Sequence, residues 1–357
     1  MFKYLGVLVV AGCRIGTPDP PHKVATAIRS MSLADRHEMF VSAGELTTPP
    51  GIVLGASEVP GPTDNDGVAI ELDIPLASKV ATGRAPAGVI SVTGSGACWG
   101  DPSRGARGSA RTCTAPTRSE GHTDCRLPAM VLPNLPPMRD IAAGDDVTCA
   151  ISLDDHVVCW GEAGAKLGGS AVPPFGAPRA VAVPGGDLLA ARLVIQHGVV
   201  CAIDHDAIAW CWGDGLGAEP VRQPYDGVVD LAIGANHTCL ISRAGLACWG
   251  ENLNAQCGDV GAARACQSEG CFVGRTAIPL DAVRVVVGER HSCALVQGGA
   301  VACWGSNELG QVGHDDAFLT GDVGVVLDGA TDLAAGFSRS CALRTDHSVW
   351  CWGDNPE

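Results

Sequence analysis

His291-Ser292-Cys293-Ala294-Leu295-Val296-Gln297-Gly298-Gly299-Ala300-Val301-Ala302-Cys303-Trp304-Gly305 reads as two short strands about a glycine turn, with a cysteine in each strand and Trp-Gly at the exit. Successive side chains of a strand point to opposite faces, so Cys303 and Trp304 face opposite ways. Folding the hairpin about Gly298 sets residues 293 and 303 opposite each other. Opposed positions in an antiparallel pair hold their Cα atoms about 4.5–5.5 Å apart, a span that a disulfide accepts. The unit returns at residues 149–161, 201–213, 239–250 and 341–353. The spacing predicts cross-strand disulfides Cys149–Cys159, Cys201–Cys211, Cys239–Cys248, Cys293–Cys303 and Cys341–Cys351. Four pairs lie ten residues apart and the third lies nine apart, so its turn is one residue shorter. Zinc sites use close-set pairs such as C-x2-C, and none occurs.

A sixth copy, residues 88–100, keeps Cys98-Trp99-Gly100 but has Gly88 where the first cysteine belongs. A worn copy ends at Val53-Leu54-Gly55. Repetition at this spacing is the mark of a propeller or solenoid. Seven copies of about 48 residues suit four-stranded blades, so the expected fold is an all-β, seven-bladed β-propeller of four-stranded antiparallel blades. The chain stops just after Trp352-Gly353, with no room for the outer strand of its last blade. Residues 22–32 are the spare segment to supply it, so the N- and C-terminal segments are expected to close the ring and leave no open edge.

The first twelve residues carry Lys3 and an apolar run too short to span a bilayer, which takes about twenty residues, but of the size of a secretory signal. Val10-Ala11-Gly12-Cys13 is similar to a bacterial lipobox, which implies lipidation of Cys13; an ordinary signal is the alternative. The expected division is signal 1–12, tether 13–21 and propeller 22–357. Seventeen cysteines are odd in number, and setting Cys13 aside leaves sixteen that can pair completely. A disulfide framework persists only in an oxidising compartment, so the chain is expected to be exported: held at the cell membrane or outer membrane, or extracellular. A net charge of −15 without any basic run excludes a nucleic-acid partner.

Residues 334–343 with 349–353, and Trp304-Gly305-Ser306-Asn307-Glu308-Leu309-Gly310-Gln311-Val312-Gly313, resemble the regulator of chromosome condensation repeat. The resemblance implies the seven-bladed propeller, and the cysteine pairs make the chain similar to a secreted bacterial branch of that family. The family's eukaryotic founder is a nuclear exchange factor. This chain departs from it in charge, cysteine content and export signal, so the resemblance carries the fold and not that activity.

Two long inserts follow Trp-Gly units, at 101–128 and 251–278. Loops of this length are commonly functional, and binding residues concentrate on loops of rigid scaffolds. Arg104, Arg107, Arg111 and Arg118 make the first insert basic within an acidic protein, suited to an acidic partner. Cys113 with Cys125 closes it locally; Cys98, Cys257, Cys266 and Cys271 stay unassigned. A metal site at the last three would have spacings unusual for zinc, and no metal or cofactor is called for. His237 and His291 recur two places before a cysteine, which points to a packing or turn role. All eight tryptophans lie in the repeat motif, so none is expected to be free to form an aromatic ligand cage. No catalytic constellation is readable. The expected function is an extracytoplasmic protein-binding module, monomeric and lipid-anchored, with an unknown protein partner. A propeller-scaffold lyase or hydrolase, or a purely structural surface protein, are the alternatives.

Overall fold

The computed structural model describes residues 19–25, 28–33, 38–42, 52–53, 70–71, 77–83, 86–91, 93–100, 130–131, 135–144, 146–161, 165–169, 178–258, 272–313 and 319–354. These fall into two compact units, one within residues 29–224 and one within 10–28 and 225–357.

The first unit holds three four-stranded antiparallel blades. Blade 1 is Ala77–Thr82, Pro86–Ser91, Gly96–Gly100 and Met130–Val131. Blade 2 is Met138–Ala143, Val147–Ser152, Val157–Gly161 and Arg179–Ala180. Blade 3 is Ala190–Gln196, Val199–Asp204, Ala209–Gly213 and Gly217–Arg222. The second unit holds blade 4, Asp230–Ile233, His237–Ser242, Gly245–Glu251 and Phe272–Ile278. Blade 5 is Ala282–Val287, His291–Val296, Val301–Ser306 and Leu319–Leu327. Blade 6 is Ala330–Ala335, Arg339–Arg344 and Val349–Gly353, completed by Asp19–Ala25 against its third strand. Of the segment 22–32 expected to supply this outer strand, residues 22–25 do so, while Ile28–Leu33 pairs with Glu38–Ser42 instead. The strand starts at Asp19, so it takes up the end of the expected tether.

The expected count of seven is corrected to six. The stretch read as a seventh repeat forms two-stranded pairs among the described residues, Ile28–Leu33 with Glu38–Ser42 and Ile52–Val53 with Ile70–Glu71. The cause is in the sequence: residues 22–71 contain neither cysteine nor tryptophan, so they lack both the cross-strand bridge and the wedge that seats the other blades.

All five expected disulfides are present, each between residues directly opposed in register. Their Cα atoms lie 4.1 Å apart, or 4.2 Å for Cys201–Cys211. This is the narrow kind of antiparallel pair, in which side chains approach most closely. In blade 1 the same register sets Gly88 opposite Cys98.

In blades 2 and 5 a central strand is buried on both faces, because a blade of the same unit packs on each side. Val147–Ser152 and Val301–Ser306 are buried throughout. Trp160 packs between blades 1 and 2 with Ile90 and Met138. Trp212 packs between blades 2 and 3 with Leu167 and Leu193, Trp304 between blades 4 and 5 with Leu246 and Val285, and Trp352 between blades 5 and 6 with Val312 and Leu333. The glycine after each tryptophan is required by a close approach. At Gly305, φ is 111°, and a Cβ there would lie 2.7 Å from the Arg290 carbonyl oxygen and 2.8 Å from the His291 Cα.

Charge orders the blades as well. The third residue of the innermost strand, just after a bulge, alternates in sign: Lys79, Asp140, Arg192, then Asp230 at the equivalent place in blade 4, Arg284 and Asp332. Lys79 pairs with Asp140 and Arg284 with Asp332, while fully buried Asp230 accepts from the Val285 amide at 2.9 Å.

Candidate partner-binding face

The segment after Trp-Gly is the part of each repeat that varies most in length. In blade 4 it opens with a buried turn, Asn252–Gly258, and in blade 5 with its counterpart Asn307–Gly313. Asn252 Oδ1 accepts from the Cys257 amide at 2.8 Å, and Gln256 Oε1 from the Asn254 amide at 2.8 Å. Blade 5 repeats both bonds, Val312 N to Asn307 Oδ1 at 3.3 Å and Leu309 N to Gln311 Oε1 at 2.8 Å. These side chains replace a sheet ladder and satisfy backbone groups that would otherwise be buried bare.

The turns also join blades. The Gln256 carbonyl accepts from Trp304 Nε1 at 2.9 Å and from Ser292 Oγ at 2.9 Å. The Gln311 carbonyl accepts from Trp352 Nε1 at 3.0 Å and Ser340 Oγ at 3.4 Å. In the first unit the Lys166 carbonyl takes the Trp212 indole N–H at 3.0 Å. Lys166 Nζ stands 3.2 Å from both Asp146 and Asp214. Burial works against its charge, yet the two carboxylates outweigh that and hold its pKa above the ordinary lysine value.

The second expected insert, 251–278, is therefore corrected. Residues 252–258 are a buried turn and Phe272–Ile278 is the outer strand of blade 4, which leaves 259–271 between them. The sequence signal was there to find, since Lys166-Leu167-Gly168, Gln256-Cys257-Gly258 and Gln311-Val312-Gly313 align as one short motif. Cys257 is buried in this turn, its thiol donating to the Glu251 carbonyl at 3.3 Å. Arg104, Arg107, Arg111, Arg118, Cys113, Cys125, Cys266, Cys271 and Cys13 lie outside the described residues.

His237 and His291 are buried, which selects the packing role from the two that their recurrence left open. His237 Nε2 lies 2.9 Å from Ser292 Oγ and His291 Nε2 lies 2.7 Å from Ser340 Oγ. Each serine proton is committed to a glutamine carbonyl, so each hydroxyl accepts and each imidazole donates from Nε2. Both Nδ1 atoms are buried without a hydrogen-bond partner. Desolvation lowers the pKa of His237 to about 4 and that of His291 to about 3. These are neutral, structural histidines, buried completely and shut away from any substrate.

Among the described tryptophans that stand directly before a glycine, one differs from the rest. Trp160, Trp212, Trp304 and Trp352 are fully buried, whereas Trp249 is only half-buried. Its ring meets Tyr225 at 5.5 Å between centroids, and the Arg275 guanidinium stands over the Tyr225 ring at 5.0 Å.

Residues 282–311 and 330–357, in blades 5 and 6, match the Regulator of chromosome condensation (RCC1) repeat. The fold is shared with solved propellers. Human WBSCR16 superposes with a TM-score of 0.68 at 14% identity, over 94% of this chain and 88% of that one. Prp20p from Saccharomyces cerevisiae, whose structure was described with its binding to Gsp1p and histones, gives 0.60 at 20% identity over 82% and 77%. Yeast RCC1 (Prp20) bound to Kap60 gives 0.58 at 20% identity over 78% and 70%. Blades 5 and 6 thus carry RCC1-type repeats, and the chain shares the all-β propeller fold of these structures.

Proposed function

We propose that this protein is an extracytoplasmic, protein-binding propeller, monomeric and tethered to the cell envelope through a lipid on Cys13. The observation that carries this reading is the disulfide set: five bridges at one repeat position, each buried within its hairpin. Such a framework is compatible with an oxidising compartment and out of place in a reducing one. An interaction role is supported by the RCC1-like propeller class, whose solved members are described with Kap60, Gsp1p and histones as partners. The acidic balance of this chain turns it away from nucleic acid and toward protein.

Its working loop is the insert at 101–128, where Arg104, Arg107, Arg111 and Arg118 would meet an acidic partner and Cys113–Cys125 would brace the loop. Blade 1 supplies a rigid root, so the insert can vary without disturbing the core. The test has two arms. Cys13→Ser should move the protein from the envelope to the soluble fraction. Shortening 101–128 to a tight turn should abolish capture of an envelope partner, confirmed with both proteins purified, and leave the thermal transition unchanged. An unaltered protein that is already soluble overturns the anchor; capture that survives the shortening overturns the loop.

A further inference from the structure

Trp249 and Arg275 of blade 4 form one partly exposed cluster with Tyr225, which lies just before that blade. Three facts set it apart from the packing tryptophans. The indole N–H groups of Trp212, Trp304 and Trp352 each donate to a turn carbonyl, while that of Trp249 makes no hydrogen bond among the described residues. Arg275 is exposed and rests on an aromatic face, and its only hydrogen bond among the described residues is a long one, 3.4 Å, from NH2 to Ser242 Oγ. Arg243 is the residue after that serine, exposed, with its stem laid against Gly227. Neither arginine has an ion pair among the described residues, in a chain of net charge −15. Exposed Phe272 begins the strand that carries Arg275.

Tryptophan, tyrosine and arginine are the residue types that dominate binding hot spots, because each offers a large flat surface with a polar edge. An arginine stacked on a ring has part of its rotamer entropy already spent, and its guanidinium edge is presented for a bidentate carboxylate. From these observations we infer that Trp249, Tyr225, Arg243 and Arg275 form a docking site for an acidic protein segment that alternates carboxylate and apolar side chains. The apolar side chain covers Trp249, a backbone carbonyl takes its indole N–H, and the carboxylates meet the two arginines. The inference rests on the protein-binding reading and places a second contact point away from the insert of blade 1.

The experiment uses the full-length protein labelled with 5-fluorotryptophan, the Trp249 resonance being assigned by Trp249→Phe. The probe is a synthetic octapeptide alternating glutamate and leucine, with a lysine-and-leucine peptide as its control. The acidic peptide should shift the Trp249 signal, and the basic peptide should not. Arg275→Glu, at an exposed position, should weaken that response at least about tenfold with the thermal transition unchanged. A silent Trp249, an equal response to the basic peptide, or full affinity in Arg275→Glu overturns the site. If Trp249 is silent while the intact protein still captures a partner through 101–128, this site alone falls. If the intact protein captures no partner at all, the binding reading falls instead.

Discussion

Acid should unfasten the second unit through His237 and His291. Both rings donate from Nε2 to a serine, so a second proton would place a charge in a dry interior, a cost that the His291 backbone offsets only in part at His237. The unfolded chain takes up these protons near pH 6.5, while the folded chain resists until about 4 at His237 and about 3 at His291. Between those limits the unfolded state binds more protons, so stability falls as pH falls. The His237 shift corresponds to about 3 kcal/mol, and His291 adds in the same direction. Urea unfolding followed by tryptophan emission should therefore show a loss of about 2–3 kcal/mol per histidine between about pH 7 and about pH 4.5. His237→Gln and His291→Gln keep a donor toward the serine and remove the titration. Each should lower stability at neutral pH and flatten the pH dependence in that window. A wild type and double variant whose curves run parallel from pH 6.5 downward would refute the reasoning.

Three further outcomes follow from the same contacts. Gly305→Ala should cost about 1–3 kcal/mol in urea unfolding, because its φ and the Arg290 carbonyl both oppose a Cβ. Trp304→Phe removes one of two donors to the Gln256 carbonyl and should cost about 1–2 kcal/mol, which a thermal melt will read. Arg284→Asp should destabilise blade 5 against blade 6 by about 1 kcal/mol, and adding Asp332→Arg should restore most of it; a double-mutant cycle without coupling would remove the alternating charges from the account.

Much of this was legible in the sequence because a disulfide hairpin fixes register as well as strand identity. Cys293 and Cys303, once paired, leave Trp304 one direction to face. The outer strand of blade 6 was legible in part, since residues 22–25 of Asp19–Ala25 lie within the segment expected to supply it. The seventh blade was misread because Val53-Leu54-Gly55 keeps the apolar pattern of the repeat without its bridge or its wedge, and a pattern alone does not hold four strands together. The turn Asn252–Gly258 looked like loop because its order comes from side chains bonding backbone, which leaves no periodic signal. The strand Phe272–Ile278 was missed for a related reason: as an outermost strand it is mostly exposed, so hydrophobic alternation does not mark it. The exposure of Trp249 lay beyond reach, since its motif is the same as that of its buried counterparts.

The most direct test is peptide mapping without reduction on protein taken from its native cells. Five hairpin links are expected, Cys149–Cys159, Cys201–Cys211, Cys239–Cys248, Cys293–Cys303 and Cys341–Cys351, each within one blade. Free thiols at these ten positions would contradict the oxidising compartment, and links between blades would contradict the register on which the fold and its binding face are built.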